Sequence, residues 1–222
     1  MDRPPPDTAL SPQRLLDLLR CDLFRYAGRS DRATFVRAYF REPGFAFTCW
    51  LRTEAWLLAF PRPRPALRTL ARLARHRYGR RYGIEIAPQT KIAPGLCIVH
   101  HGGIVVSPLT VIGRNCTVYQ GVTLGQTNRG ERAGTPVVGD DVYLAPGAKV
   151  MGAVTVGSGA VIGANCVVSK DVPENGVMVA SGARLTSRKG SHGYVQNTGY
   201  PLPSWLADTG APGDARAATT GD

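Results

Sequence analysis

The chain has 222 residues and a formal net charge of +11, enough for one substantial core or a repeat domain with a smaller partner, and too few for three domains. No stretch approaches the run of about 18 apolar residues that a membrane-spanning helix needs, the best being Ala55 to Phe60. The start, Met1 to Leu10, lacks an apolar signal-peptide region, so the cytoplasm is the expected compartment.

The charge is uneven. Residues 1–85 hold seventeen Arg, no Lys and eight acidic residues, and they read as a basic α-helical domain. Ser11-Pro12 offers an N-cap followed by proline at the first helical position, with Leu15, Leu19 and Leu23 at helical spacing, so a first helix of about three turns is predicted. A second is expected over Thr34 to Phe40, ended by Pro43-Gly44, and a third over Phe45 to Phe60, broken by Pro61, Pro63 and Pro65. A fourth pattern runs from Ala66 to His76, with Leu67, Leu70 and Ala74 on one face and Arg68, Arg72 and Arg75 elsewhere. Eight Arg fall between Arg62 and Arg81. They read as a solvated helix face, or as attraction to an acidic membrane surface, to CoA phosphates or to an anionic polymer. Nucleic acid is not the expected partner, because no recognition motif accompanies them.

From Ile86 the period changes. Aliphatic residues recur every six positions at Ile86, Ile92 and Ile98, then after a two-residue slip at Val106, Ile112, Val118 and Leu124. After a further insertion the series resumes at Val138, Leu144, Val150, Val156, Ile162 and Val168. A six-residue period suits a chain coiling through short strands and tight turns, three hexads to a coil, with each aliphatic side chain stacked on its equivalent in the next coil. Gly follows the aliphatic residue at Gly113, Gly125, Gly139, Gly157 and Gly163, where a backbone conformation that a Cβ would penalise is expected.

Four residues after each aliphatic comes a smaller position, filled by Cys116, Val122, Val142, Ala148, Val154, Ala160, Cys166 and Val172. The five cysteines, with Cys21, Cys49 and Cys97, lack metal or redox spacing and are expected to be small buried hydrophobes. No metal site is expected; a zinc enzyme on such a scaffold would need three well-spaced histidines, and adjacent His100 and His101 do not supply them. The polar insertion Gln126 to Pro136 reads as a functional or mobile loop. Flat parallel-sheet faces suggest that three such prisms pack together. The repeat domain is expected over 86–185, and the Gly-, Ser-, Ala- and Pro-rich tail over 186–222 is expected to be disordered.

The run Gly95-Leu96-Cys97-Ile98-Val99-His100-His101-Gly102-Gly103-Ile104-Val105-Val106, followed by Gln120-Gly121-Val122-Thr123-Leu124-Gly125 and the closing hexads, resembles the serine acetyltransferase family of hexapeptide-repeat acyltransferases. Pro43-Gly44-Phe45 and Leu51-Arg52 extend the likeness to roughly residues 20–185. The resemblance implies a mainly β fold, a left-handed parallel β-helix with a small N-terminal α-helical domain, a hand opposite to that of ordinary crossovers. It implies homotrimers, with a dimer of trimers as an extension, and acetyl-CoA as co-substrate in a groove between subunits, with no permanently bound cofactor. His100 matches the catalytic histidine that takes the proton from an acceptor hydroxyl, a role suited to imidazole near neutral pH.

Ala145 and Gly163 are candidates for close backbone approach to the pantetheine, and Lys170 and Arg184 for the nucleotide phosphates. His101 is read as structural or as a substrate contact; His76 and His192 fall outside the motif. The departures bear on the acceptor. The serine-specific enzymes carry an aspartate where this chain has Val99, a second histidine where it has Thr135, and a substrate aspartate where it has Glu85. Glu85 keeps a similar charge on a longer arm, but a zwitterion needs both countercharges, so the loss of the aspartate at Val99 and of the histidine at Thr135 resembles the branch that acetylates sugar hydroxyls of surface polysaccharides. L-serine is the alternative acceptor, and a non-catalytic trimeric scaffold the alternative to an enzyme. Glu85 or a backbone carbonyl is expected to orient the His100 ring.

Overall fold

The structure is a computed structural model that describes residues 11–59 and 64–180. Four helices come first: α1 (Pro12–Ala27), α2 (Arg32–Arg41), α3 (Pro43–Ala59) and α4 (Pro65–Tyr82). Ser11 caps α1 through its hydroxyl, which accepts from the Arg14 amide at 3.2 Å, and Asp31 caps α2 by accepting from the Thr34 amide at 2.9 Å. Each helix runs longer than its predicted segment, the third by a single residue; α1 has 16 residues and α4 continues past His76 to an αL cap at Gly83. Pro43-Gly44 opens α3 rather than only closing α2, since proline fits the first turn, and Gly44 lies where a Cβ would collide with the Ile98 backbone.

The expected apolar face of α4 is not its packing face. Of that face Leu67 and Leu70 are exposed and Ala74 is half-buried, while the helix packs through Ala71 and Gly79. Small residues let α4 approach α3, and Arg75 reaches over to bond Glu54 at 2.6 Å. Similarly Cys21 is exposed on α1, whereas the other four cysteines are buried as expected.

Beyond Tyr82 the chain winds through three parallel sheets. The first holds β1 (Ile84–Ile86), β4 (Ile104–Val106), β7 (Thr123–Gly125), β10 (Lys149–Met151) and β13 (Val167–Val168). The second holds β2 (Lys91–Ile92), β5 (Val111–Ile112), β8 (Val137–Val138) and β11 (Thr155–Val156). The third holds β3 (Cys97–Ile98), β6 (Thr117–Val118), β9 (Tyr143–Leu144), β12 (Val161–Ile162) and β14 (Val177–Met178). Each coil visits the sheets in turn, a parallel β-helix of hexapeptide repeats.

The hexad series is the register. Ile86, Val106, Leu124, Val150 and Val168 stack in the first sheet, Ile92, Ile112, Val138 and Val156 in the second, and Ile98, Val118, Leu144 and Ile162 in the third. The smaller series from Cys116 to Val172 is buried throughout. Burial pushes the Cys116 thiol up to about 12.

The glycines that follow the aliphatic residues act differently from expectation. None of Gly113, Gly125, Gly139, Gly157 and Gly163 has positive φ; a Cβ there would strike the next coil, as at Gly163, where it would lie 2.7 Å from the Met178 carbonyl oxygen. The left-handed turn residues sit two positions later, at Asn115, Asp141 and Asn165.

A buried polar knot fastens helices to coil. Asp22 takes two bonds from Arg52 at 2.9 and 3.1 Å and accepts the Gly95 and Leu96 amides at 2.8 and 2.9 Å, while Arg52 also donates to the Ala93 carbonyl at 2.7 Å. The Tyr26 hydroxyl accepts from the Ile98 amide at 2.7 Å and donates to its carbonyl at 3.1 Å. Tyr26 is half-buried with its hydroxyl tucked against the coil, and desolvation raises its phenol well above the ordinary range. No helix among the described residues is long and apolar enough to cross a membrane.

Candidate active site

The two-residue slip in the hexads is the histidine pair. The Val99 amide donates to the Val118 carbonyl, and the Gly121 amide donates to the Gly102 carbonyl at 2.7 Å, so Gly102 stands where the next coil has Gln120. His100 and His101 are therefore extruded from the corner between the third and first sheets, and both are exposed. Gly102 and Gly103, at φ 112° and 64°, permit the reversal that returns the chain to β4.

Ring contacts hold the pair. His100 meets Tyr119 edge-on at 5.6 Å, and Tyr119 continues to Tyr143 at 5.2 Å; hydrogen bonding to Tyr119 raises the Tyr143 phenol. His101 lies 4.7 Å from the Tyr82 ring at the end of α4. Among the described residues neither Glu85 nor a backbone carbonyl bonds the His100 imidazole; the Tyr119 ring abuts it. Tyr119 escaped sequence reasoning, although its place directly before Gln120-Gly121-Val122 marks it as the residue one coil on from Val99.

Ala145 and Gly163 fall in the same column. The third-sheet register carries Val99 to Tyr119, then to Ala145 and Gly163, with the Ala145 amide bonding the Ile162 carbonyl at 2.9 Å. The corner thus presents aromatic rings beside His100 and small residues beyond. Gln120 lies in it too, and its Oε1 is buried with no partner among the described residues. Glu85 projects from β1 on the outer face of the first sheet.

Thr135 and Lys170 are elsewhere. Both lie at the corner between the first and second sheets, Thr135 in the Gln126–Pro136 loop and Lys170 after β13. The loop is pinned: Thr127 and Gly134 exchange backbone bonds at 3.0 and 2.8 Å, and Arg132 bonds Asp171 at 3.1 Å. Asp171 is held below the usual carboxylate range, chiefly by the Thr155 amide and then by Arg132. One chain therefore splits the candidate residues between two corners of the prism. Arg184 and His192 lie outside the described residues, as does the tail 186–222. Among the described residues no three His, Cys, Asp or Glu side chains gather as a metal group.

The family model of bacterial transferase hexapeptide repeats (six repeats) matches residues 135–170. The serine acetyltransferase of Bacillus licheniformis is 41% identical over 126 residues, covering 57% of this chain and 58% of that protein. A solved serine acetyltransferase in complex with cysteine is 30% identical with a TM-score of 0.63, the match covering 82% of this chain and 73% of that one. The chain belongs to the serine acetyltransferase-like hexapeptide-repeat acyltransferases. A second solved serine acetyltransferase, in complex with CoA, is 29% identical with a TM-score of 0.61 over 77% of this chain and 69% of that one. This acyltransferase-family chain spans a little over half the length of the curated Bacillus relative.

Proposed function

We propose that the chain is an acetyl-CoA-dependent O-acetyltransferase in which His100 is the general base. The observation that carries this reading is the extrusion of His100 at the head of a corner column whose later members, Ala145 and Gly163, are small. An acetyl-pantetheine arm lying along that column brings its thioester to the imidazole. Gln120 Oε1, already desolvated, suits a pantetheine amide N–H. The His100 ring takes the hydroxyl proton as the acceptor oxygen forms a bond to the thioester carbon. The resulting tetrahedral adduct expels the CoA sulfur, which receives the proton back from the imidazolium. Acetyl-CoA is a co-substrate, and no resident cofactor is required.

The split of Thr135 and Lys170 from His100 supports assembly: a neighbouring copy in a homotrimer would bring the second corner against the first. The cytoplasm is the compartment we assign to a reaction that draws on acetyl-CoA. L-serine is the first acceptor to test, because the relatives reported above are serine acetyltransferases. A sugar hydroxyl is the second reading. None of those relatives is named for polysaccharide chemistry, and the reading rests on Val99 and Thr135, uncharged where a zwitterion would want an aspartate and a histidine.

Thiol release from acetyl-CoA, measured across L-serine, homoserine and a sugar panel, decides the acceptor. His100→Ala should lower the rate with the best acceptor by about 10²- to 10⁴-fold; equal rates would discard the mechanism, and equal rates without any acceptor dependence would leave a scaffold.

A further inference from the structure

Four residues of α4 stand at strict intervals of four: Arg68, Arg72, His76 and Arg80. This spacing places them in one row along the helix, about 18 Å from end to end. The row borders two hollows of about 490 and 390 Å³ between α4 and the first sheet, which share Arg75, His76 and Glu85 in their walls. One hollow runs up to Gly103 and Val105, beside the histidine corner, and the other down past Arg68 and Arg72. The Gly83 cap of α4 abuts Gly102 and Gly103, and its carbonyl accepts the Ile104 amide at 3.0 Å, so the helix is anchored to the catalytic corner.

The charges in this groove are unbalanced. Arg75 is committed to Glu54, whereas among the described residues Arg68, Arg72 and Arg80 have no ion pair. Glu85 is the carboxylate that faces them from the sheet. Like charges four apart on a helix repel, a standing cost that an anion in the groove would offset.

We propose that this groove binds a phosphate or diphosphate group carried by the hydroxyl acceptor. The inference rests on the acetyl transfer proposed above, and it favours the sugar reading in a phosphorylated form. CoA does not supply the anion. With its thioester at His100 and its arm along the column toward Gly163, three coils of about 4.8 Å each away, CoA directs its own phosphates away from α4, which packs against β1 of the first coil.

The test uses the full chain and inorganic pyrophosphate, followed by calorimetric titration. Wild type should bind pyrophosphate, and Arg68→Gln/Arg72→Gln should weaken binding about tenfold or more, while Arg37→Gln on exposed α2 changes nothing. The affinity for CoA should stay the same in all three, and the melting midpoint of the double variant should confirm its fold. Transfer to glucose 1-phosphate should exceed transfer to glucose in wild type and lose that advantage in the double variant through KM. No pyrophosphate binding by wild type, equal binding by the double variant, or a matching loss of CoA affinity would each overturn the proposal. His100→Ala should still bind pyrophosphate; full transfer by that variant would sink the base assignment while leaving the pyrophosphate result to judge the groove.

Discussion

The β-helix and the helical region obey the same hydrophobic driving force, yet burial follows the sequence pattern in one and departs from it in the other. In the β-helix each coil repeats its predecessor, so the position of Ile112 fixes those of Val138 and Val156 above it. The helices have no such translation. The α4 pattern correctly groups Leu67 and Leu70, but their face is exposed, and the buried face is Ala71 and Gly79. At the same time Asp22, Arg52 and Glu54 are buried. Periodicity tells which residues share a side; only a neighbour decides which side is covered.

The largest stability effect should come from the knot that joins the two regions. Asp22→Ala strips Arg52 of its carboxylate and leaves the Gly95 and Leu96 amides without their acceptor; denaturant titration should show a loss of about 3–5 kcal/mol. A loss under 1 kcal/mol would mean that the helices and the first coil are less firmly coupled than these bonds imply. Within the β-helix, Leu144→Ala empties one fully buried stacked position and should cost about 2–5 kcal/mol in the same titration.

Alkaline pH sharpens the contrast next. Burial holds Cys116 at about 12 and Cys97 at about 11, against about 9 for an unfolded thiol. Above pH 9 the unfolded chain therefore binds fewer protons than the folded one, and stability falls as pH rises toward those values. The thermal midpoint should decline from pH 9 upward, and Cys116→Val, which copies the residue at the equivalent Val142 position, should soften the decline. Identical pH curves would show that the thiol contributes nothing. The smallest effect is expected on the exposed face of α4, where Leu70→Ser should change stability by no more than about 0.5 kcal/mol. A loss near that of Leu144→Ala would show that this face is covered in solution.

Much of the candidate site was legible because it is part of the repeat. His100 stood out through its motif, and Ala145 and Gly163 fell into its column because hexads count out corners. The two-residue slip was visible as a break, but not as the device that pushes the histidines outward. That meaning lies in the bonds of Val99 and Gly121 on either side. Tyr119 went unread because an aromatic at an outward corner position has no period of its own. The glycines after the aliphatic residues were seen, but their reason was close approach between coils and not an unusual φ.

By itself, the sequence determined the six-residue period, the identity of every stacked residue from Ile86 to Val168 and the prominence of His100, because a repeating fold converts spacing in the chain into position in space. The tertiary structure decided which face of α4 is covered, that Asp22 and Arg52 close on the first coil, that Tyr119 rather than Glu85 touches the His100 ring, and that Thr135 sits at another corner. Those outcomes depend on contacts between segments far apart in the chain, whose energies are set by packing and desolvation, and no local pattern encodes them.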